Sequence, residues 1–194
     1  MMNPMRPPPT EQPDLAPPTP PQAAAPSPVR ANARFMRSHP AHWLSLGFGS
    51  GLSPVAPGTA GTLWAWAAYT LLNDWLNPQT MGMLILFSTL LGWWACTFTA
   101  KRLQTPDPSH IVIDEITAFW LVLWLITPAD FWQQLAAFVL FRFFDAVKPG
   151  PVGWADRKFH DSGLGIWGGF GIMLDDFVAA FCTLLLLAVW RFFT

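Results

Sequence analysis

Five apolar segments dominate the chain after residue 40, and they cover residues 59–76, 81–100, 111–127, 130–147 and 176–190. A helix of about eighteen residues is about 27 Å long, close to the thickness of the hydrocarbon core of a bilayer. The chain is 52% hydrophobic and only 12% charged, whereas ordinary soluble domains are about 25% charged. The sequence therefore predicts an all-α fold, a multi-pass helical membrane protein with four or five apolar helices.

The first forty residues have a different composition. Eleven of the first thirty residues are Pro, and most of the others are Ala, Gln, Thr and Ser. Such a segment cannot bury enough apolar surface to offset the entropy of ordering its chain. The sequence predicts a disordered Pro-rich tail over residues 1–40 and one helical membrane domain over residues 41–194.

Basic residues predict the orientation of the apolar helices in the membrane. If the end that carries Arg30, Arg34 and Arg37 is cytoplasmic, the basic residues at 101–102 and 148–158 fall on the same side, while the turns 73–80 and 127–130 hold no Lys or Arg. Only Arg191 opposes this pattern, so the basic residues do not decide whether the fifth apolar segment crosses the membrane. The polar segments 46–62, 106–115, 142–160 and 175–176 are then expected to meet at the cytoplasmic surface.

Residues 47–62 contain five glycines among several hydroxyl side chains. The segment is either a flexible lead into the first apolar helix or an anion-binding loop, whose backbone approaches a phosphate closely beside a helix N-terminus. No Lys follows Gly61, so the segment is not a nucleotide P-loop. The candidate phosphate-binding residues in this loop are Ser50, Gly51, Ser53, Gly58, Thr59, Gly61 and Thr62.

Two acidic pairs, Asp114 with Glu115 and Asp175 with Asp176, lie at the predicted starts of apolar segments. The helix macrodipole alone favours carboxylates there, by about 0.3–1 kcal/mol each. A functional interpretation is a metal site, because carboxylates without thiolates suit a hard ion such as Mg²⁺. Adjacent helical residues point about 100° apart, so one member of each pair is expected to bind the ion and the other to orient it.

Residues 141–149 end a predicted helix at Pro149. Arg142 and Asp145 share a helix face, where an ordinary surface ion pair contributes about 0.3–0.5 kcal/mol. Alternatively, Arg142 and Lys148 bind phosphate, and Asp145 is either a further metal ligand or the residue that holds Arg142 in place. The remaining ionisable residues are expected to be loop residues near this site: His110, Asp156, Arg157, Lys158 and His160.

Cys96 and Cys182 both lie within apolar segments, where a buried thiol ordinarily acts as a small hydrophobic residue. Cys96 and Arg102 have the spacing of a cysteine-dependent phosphatase. The intervening residues contain no glycine for an anion-binding loop, so that chemistry is excluded.

Four segments in order resemble the phosphatidylglycerophosphatase A family: GSGLSPVAPGTAGTL at 49–63, IVIDE at 111–115, FRFFDAVKP at 141–149 and GIMLDD at 171–176. The resemblance covers about residues 42–190 and leaves out the Pro-rich tail. It implies an all-helical, Mg²⁺-dependent enzyme of the bacterial inner membrane with its active site facing the cytoplasm. Its substrate would be a membrane phospholipid, phosphatidylglycerophosphate, hydrolysed to phosphatidylglycerol and inorganic phosphate, with no nucleic acid partner.

The resemblance also implies roles for the polar residues. Glu115, Asp175 and Asp176 would hold Mg²⁺ with help from Asp114 or Asp145, and these five carboxylates are the candidate catalytic residues. Arg142, Lys148 and the glycine-rich segment would bind the phosphate, and a metal-activated water, or alternatively a carboxylate, would attack phosphorus.

Two alternative functions use similar residues. A CDP-alcohol phosphatidyltransferase also has aspartates at the membrane edge and Mg²⁺, but its motif of spaced aspartates is absent here. An ion-binding or transport protein without enzymatic activity needs carboxylates along a pathway through the bilayer, whereas these carboxylates are predicted to gather on one side.

Overall fold

A computed structural model describes residues 30–160 and 163–193, and within these residues the chain is helical and contains no β-strand. This confirms the all-α prediction. Two short helices, α1 and α2, precede a 3₁₀ segment, and six further helices follow. Their bounds are α1 Ala33–Arg37, α2 Pro40–Ser45, the 3₁₀ segment Gly47–Leu52, α3 Pro57–Asn73, α4 Pro78–Leu103, α5 Ile113–Ile126, α6 Phe131–Val147, α7 Pro151–His160 and α8 Ile166–Phe193.

Helix α5 forms the centre of the bundle and contacts α3, α4, α6 and α8. Its side chains Ile116 and Phe119 are completely or almost completely buried. The Trp120 indole on α5 donates a 2.8 Å hydrogen bond to the carbonyl of Ala65 on α3. Because an apolar environment offers no water to a polar group, such internal hydrogen bonds are what a helix packed in a membrane protein requires.

Helices α4 and α8 are the two described helices that are long and apolar enough to cross a membrane. Both expose large apolar side chains, such as Leu86 and Phe87 on α4 and Phe181 on α8. Helices α3, α5 and α6 are shorter, with 17, 14 and 17 residues. Since each residue adds about 1.5 Å, α5 is about 21 Å long, so the four or five crossings expected from the sequence remain a prediction.

Helices α4 and α8 cross at a glycine. A Cβ atom on Gly169 would lie 1.9 Å from Oγ1 and 2.9 Å from the backbone nitrogen of Thr97 on α4. Next to this crossing, the Trp93 indole of α4 donates a 2.8 Å hydrogen bond to the carbonyl of Ile166. The two backbones can therefore approach closely only because position 169 has no side chain.

The ends of several helices meet at one end of the bundle. Helices α3 and α5 begin there, and α4 and α6 end there. The residue before α5, Val112, donates a 2.9 Å backbone hydrogen bond to Ser45 at the end of α2. We call this the polar end of the bundle, because it carries the predicted site residues.

Three boundaries expected from the sequence were wrong. Residues 1–29 of the predicted tail lie outside the described residues. Helix α1 forms within residues 30–40, the last part of that predicted tail. Asn32 caps this helix by accepting a 2.9 Å hydrogen bond from the Phe35 N–H. Asp156, Arg157 and Lys158 lie on α7 and not in a loop. The last apolar helix begins at Ile166 and not at residue 176. Gly168, Gly169 and Gly171 are residues typical of loops, but they lie inside α8, where an added Cβ would clash with a neighbouring atom.

We expect Gly169→Ala to lower the free energy of unfolding by about 1–3 kcal/mol, because the added methyl group forces α4 and α8 apart. Gly92→Ala is the matched control on α4, since its Cβ would meet its nearest atom, in Ile113, at 3.2 Å. Thermal or denaturant unfolding of the purified protein in detergent measures both. Equal losses of stability in the two variants would contradict the close crossing at Gly169.

Candidate metal and phosphate site

Three buried carboxylates form the centre of the site. Asp114 and Glu115 come from the first turn of α5, and Asp176 comes from α8. One oxygen atom from each lies within 4.8 Å of the others. Asp114 is 7% exposed and Asp176 is 3% exposed. Three carboxylate oxygens gathered this closely in a buried place are arranged to share one cation.

The two acidic pairs behave differently from each other. Asp175 and Asp176 contact different groups: Asp176 joins the three-carboxylate centre, while Oδ2 of Asp175 accepts a 2.5 Å hydrogen bond from Lys148. Asp114 and Glu115 both reach the centre, although adjacent residues point about 100° apart. The longer side chain of Glu115 allows this. The metal-ligand role predicted for Asp175 therefore stays a prediction, and in the structure its Oδ2 is bound by Lys148.

The macrodipole does not explain the second acidic pair. Helix α8 has no acidic residue in its first turn. Asp175 and Asp176 lie about ten residues into α8, which places them about 15 Å from its start. The favourable field of a helix N-terminus is confined to the first turn. These two carboxylates are therefore held inside the bundle for another reason.

Arg142 of α6 connects acidic residues of two helices, α5 and α6. Its Nη1 donates a hydrogen bond to Asp145 one turn along α6, and the same atom lies 3.8 Å from Oε1 of Glu115. The Arg142 and Asp145 side chains are 18% and 12% exposed, so this is an interior ion pair and not the ordinary surface pair. Nε of Arg142 is buried and has no hydrogen-bond partner among the described residues.

Lys148 connects α6, α7 and α8. Its Nζ donates hydrogen bonds of 2.6 Å to Asp156 on α7 and 2.5 Å to Asp175 on α8. Burial opposes the charged form of the lysine, but the attraction of Asp175 and the hydrogen bonds to Asp156 and Asp175 outweigh it and raise the pKa of Lys148 above its ordinary value. Lys148 therefore stays positively charged at neutral pH.

Lys148 also ends α6 in a conformation that usually belongs to glycine. Its φ is 49° and its ψ is 49°, and its backbone N–H donates to the carbonyl of Phe144. A left-handed cap is common at this position, but a residue with a Cβ is strained there. The lysine at this position directs its ammonium group toward the acidic residues of α7 and α8. Asp156 thus belongs to the site, although the sequence interpretation placed it outside.

The start of α3 lies against the same residues. A Cβ on Gly58 would be 2.2 Å from Oε1 of Glu115 and 3.1 Å from Nη2 of Arg142. No side chain caps α3, and its N-cap residue Ala56 has a φ of 46°. The uncapped N-terminus of α3, with Gly58 and Thr59, therefore lies beside the carboxylates and Arg142, where backbone N–H groups favour an anion.

The other predicted loop residues have structural contacts. Three hydroxyls donate to nearby carbonyl oxygens: Ser50 to Gly47 at 2.8 Å and Ser53 to Val55 at 2.8 Å in the loop, and Thr62 to Gly58 at 2.9 Å within α3. A Cβ on Gly51 would lie 2.2 Å from the His110 carbonyl, and one on Gly61 would lie 2.8 Å from Cβ of Val112. These residues shape the loop, and their binding of phosphate stays a prediction.

His110 fastens the glycine-rich loop to the segment before α5. Its Nδ1 lies 2.9 Å from the carbonyl of Gly51. Arg157 and Lys158 form no ion pair with another described residue, and Lys158 instead lies 4.8 Å from the ring centroid of Trp154. For His160, the structure describes only its place at the end of α7.

The charges of the site do not balance. We call Asp114, Glu115, Asp145, Asp175 and Asp176 the acidic cluster. Among the described residues, Arg142 and Lys148 are the cations that pair with this cluster. Oxygen atoms of Asp114, Glu115 and Asp175 are buried without a hydrogen-bond partner among the described residues. A hard divalent cation fits this set of oxygen donors, since it supplies both the missing positive charge and the missing partner.

Among the described residues, the site combines carboxylate oxygens and a guanidinium N–H that lack hydrogen-bond partners, at one end of an apolar helical bundle. A cation and a phosphate bound side by side, as in a membrane-bound phosphatase, would satisfy both kinds of group.

The chain belongs to the phosphatidylglycerophosphatase A family, whose sequence model matches residues 43–191. It is therefore a phosphatase, a hydrolase of phosphoric monoesters. The matched residues include the whole acidic cluster, Arg142, Lys148 and the glycine-rich loop.

Curated relatives agree with this assignment. The chain is 41% identical over 150 residues to phosphatidylglycerophosphatase A of Escherichia coli K12, a match that covers 77% of this chain and 82% of the relative. It is 40% identical to phosphatidylglycerophosphatase A of Haemophilus influenzae, over 73% of this chain and 83% of the relative. A Bacteroides thetaiotaomicron protein, provisionally named a phosphatidylinositol-3-phosphatase, is 40% identical over 76% of this chain and 91% of its own length. No solved structure matches the chain.

We expect Lys148→Gln to destabilise the protein by about 3 kcal/mol, because it leaves Asp175 buried without its cation. Denaturant unfolding in detergent measures the loss. Lys158→Gln is the control, since Lys158 is exposed and outside the site. The double variant Lys148→Gln with Asp175→Asn is expected to recover part of the lost stability. A double variant as unstable as the sum of the single variants would contradict the pairing.

Proposed function

We propose that the chain hydrolyses phosphatidylglycerophosphate to phosphatidylglycerol and inorganic phosphate, with Mg²⁺ held by Asp114, Glu115 and Asp176. Membership of the family and the names of two relatives support the substrate. The observation that carries the proposal is the buried, unpaired Nε of Arg142 beside unpaired carboxylate oxygens. An enzyme that binds a cation and an anionic phosphate together leaves both kinds of atom unsatisfied when both ligands are absent.

Arg142 and the N-terminus of α3 are assigned to bind the terminal phosphate. Arg142 reaches Glu115 and Asp145 through Nη1, so its Nε remains for a phosphate oxygen. Asp145 holds the guanidinium group in position. A Cβ on Gly58 would lie 3.1 Å from Nη2 of Arg142, and a phosphate there would also meet the N–H groups of the first turn of α3.

The two aspartates of α8 are assigned different tasks. Asp176 would contribute to the metal site, and Asp175 would accept the proton of the attacking water. Oδ2 of Asp175 is held by Lys148, while its Oδ1 is buried and has no partner among the described residues. When bound, Mg²⁺ supplies a Lewis acid that lowers the pKa of a coordinated water and offsets charge on the leaving alkoxide. Lys148 keeps the carboxylate of Asp175 oriented.

We further propose that the protein is a multi-pass protein of the bacterial inner membrane whose site faces the cytoplasm. The polar end of the bundle carries Arg102 at the end of α4 and Lys148 at the end of α6, whereas the opposite end carries Arg191. Cytoplasmic ends of membrane helices are enriched in Lys and Arg. On this proposal α3, α5 and α6 cross the membrane together with α4 and α8.

We expect Asp176→Asn and Glu115→Gln each to lower the rate of phosphate release by about 100-fold or more, because each removes a metal ligand. The assay measures inorganic phosphate released from phosphatidylglycerophosphate with Mg²⁺, with EDTA, and with Mg²⁺ restored after EDTA. Asp74→Asn is the matched control, since Asp74 is exposed in the turn between α3 and α4.

Two outcomes of this assay would contradict the proposal. Unchanged turnover in both Asp176→Asn and Glu115→Gln would rule out the assigned metal site. Faster release from phosphatidylinositol 3-phosphate than from phosphatidylglycerophosphate would overturn the substrate, and it would favour the activity named for the Bacteroides relative.

The orientation is tested with single cysteines in a Cys182→Ser background, because Cys96 is fully buried. Asp74→Cys and Ser109→Cys introduce exposed thiols at the two ends of α4. We expect a membrane-impermeant maleimide to label Asp74→Cys in spheroplasts and Ser109→Cys only in inside-out vesicles. The reverse pattern would invert the orientation, and labelling of both thiols from one side would show that α4 does not cross.

A further inference from the structure

A second cleft lies outside the acidic cluster, between α1, α2 and the last turns of α4. Its volume is about 360 Å³, and its lining residues are Phe35, Ser38, His39, His42, Phe98 and Arg102. The rings of Phe35 and His42 stack at 4.0 Å, and those of His39 and Phe98 stack at 4.3 Å. The Arg102 guanidinium lies 5.6 Å from the centre of the Phe98 ring. The cleft is thus aromatic with one cationic side.

The surroundings of this cleft are positively charged. Arg34 and Arg37 are exposed on α1, and Lys101 and Arg102 are exposed in the last turn of α4. None of these four residues forms an ion pair with another described residue. No Asp or Glu occurs between residues 30 and 73. The cleft therefore has the opposite charge from the acidic cluster, and its cations lack anionic partners within the described part of the chain.

A buried polar network fixes the wall of the cleft. Nδ1 of His42 lies 2.9 Å from Oγ1 of Thr99 on α4, and Oγ of Ser45 lies 2.8 Å from the same Thr99 oxygen. Burial, the neighbouring His39 ring and the positive charge of Arg102 lower the pKa of His42 to about 4. His42 is thus neutral at neutral pH. The positive charge of the cleft comes from Arg102 and the neighbouring Arg and Lys residues.

The position of the cleft points to a membrane ligand. Arg102 lies in the last turn of α4, one of the two helices long and apolar enough to cross a membrane. The end of such a helix lies at the depth of lipid headgroups. An arginine at this depth makes charge-assisted hydrogen bonds to phosphate, and aromatic rings suit the interface between headgroups and acyl chains.

We propose that this cleft binds the phosphodiester headgroup of an anionic phospholipid, at a site separate from the acidic cluster. Arg102 binds the phosphate, and Phe35, His39 and Phe98 pack against the glycerol and the upper acyl chains. The carboxylates repel such a lipid from the catalytic centre when no metal is bound, whereas the cleft attracts it. This lipid site does not depend on which phosphomonoester the enzyme hydrolyses.

The test is lipid binding to the full-length protein in detergent, measured by native mass spectrometry in EDTA. The probes are phosphatidylglycerol and phosphatidylcholine with identical acyl chains. We expect the parent protein to prefer phosphatidylglycerol, and Arg102→Gln to weaken that binding by about five- to tenfold. Lys101→Gln is the matched control, because it removes the neighbouring charge on α4 but does not line the cleft.

Further variants separate this cleft from the catalytic site. We expect Asp176→Asn to retain phosphatidylglycerol binding, and Arg102→Gln to retain phosphate release. Three results would overturn the proposal: equal binding of the two lipids, equal losses in Lys101→Gln and Arg102→Gln, or loss of binding in Asp176→Asn. The second result indicates only diffuse attraction to a charged surface, and the third assigns the lipid to the acidic cluster.

Discussion

The burial of the acidic cluster is the constraint on which the other features of this protein depend. Carboxylates in an apolar bundle are costly unless cations and hydrogen bonds compensate them. Arg142 provides part of this compensation from α6, and Lys148 provides part from the junction of α6 and α7. The left-handed backbone of Lys148 and the missing side chain of Gly58 both follow from the need to bring charges and backbone close to these carboxylates.

The negative charge that Arg142 and Lys148 leave uncompensated connects the fold to the chemistry. A protein selected for stability alone would replace such groups with apolar side chains, since buried ion pairs rarely stabilise a fold more than good packing does. Here buried oxygen atoms of three acidic residues and Nε of Arg142 are left without partners among the described residues. These atoms are the ones that a metal ion and a phosphate would satisfy. The family to which the chain belongs acts on a phosphate ester, in agreement with this interpretation.

Much of this site could be predicted from the sequence, because charged residues are rare in apolar segments and their positions are therefore informative. The helical class and the residues of the acidic cluster followed from that contrast. The role of Asp156 could not be predicted, because its contact with Lys148 depends on the turn between α6 and α7. The hydroxyls of Ser50, Ser53 and Thr62 were equally ambiguous, since a sequence does not show whether a hydroxyl donates to a ligand or to its own loop.

The start of α8 could not be predicted for a related reason. Glycines usually indicate loops, but Gly169 allows α8 to pass close to α4, and Gly171 allows it to pass close to Phe159 of α7. The three central carboxylates come from α5 and α8, two helices far apart in the chain. Neither helix alone holds all three carboxylates, and Arg142 comes from a third helix. On the proposed function, a partly folded chain therefore has no complete site, and activity itself reports that α8 has joined the bundle.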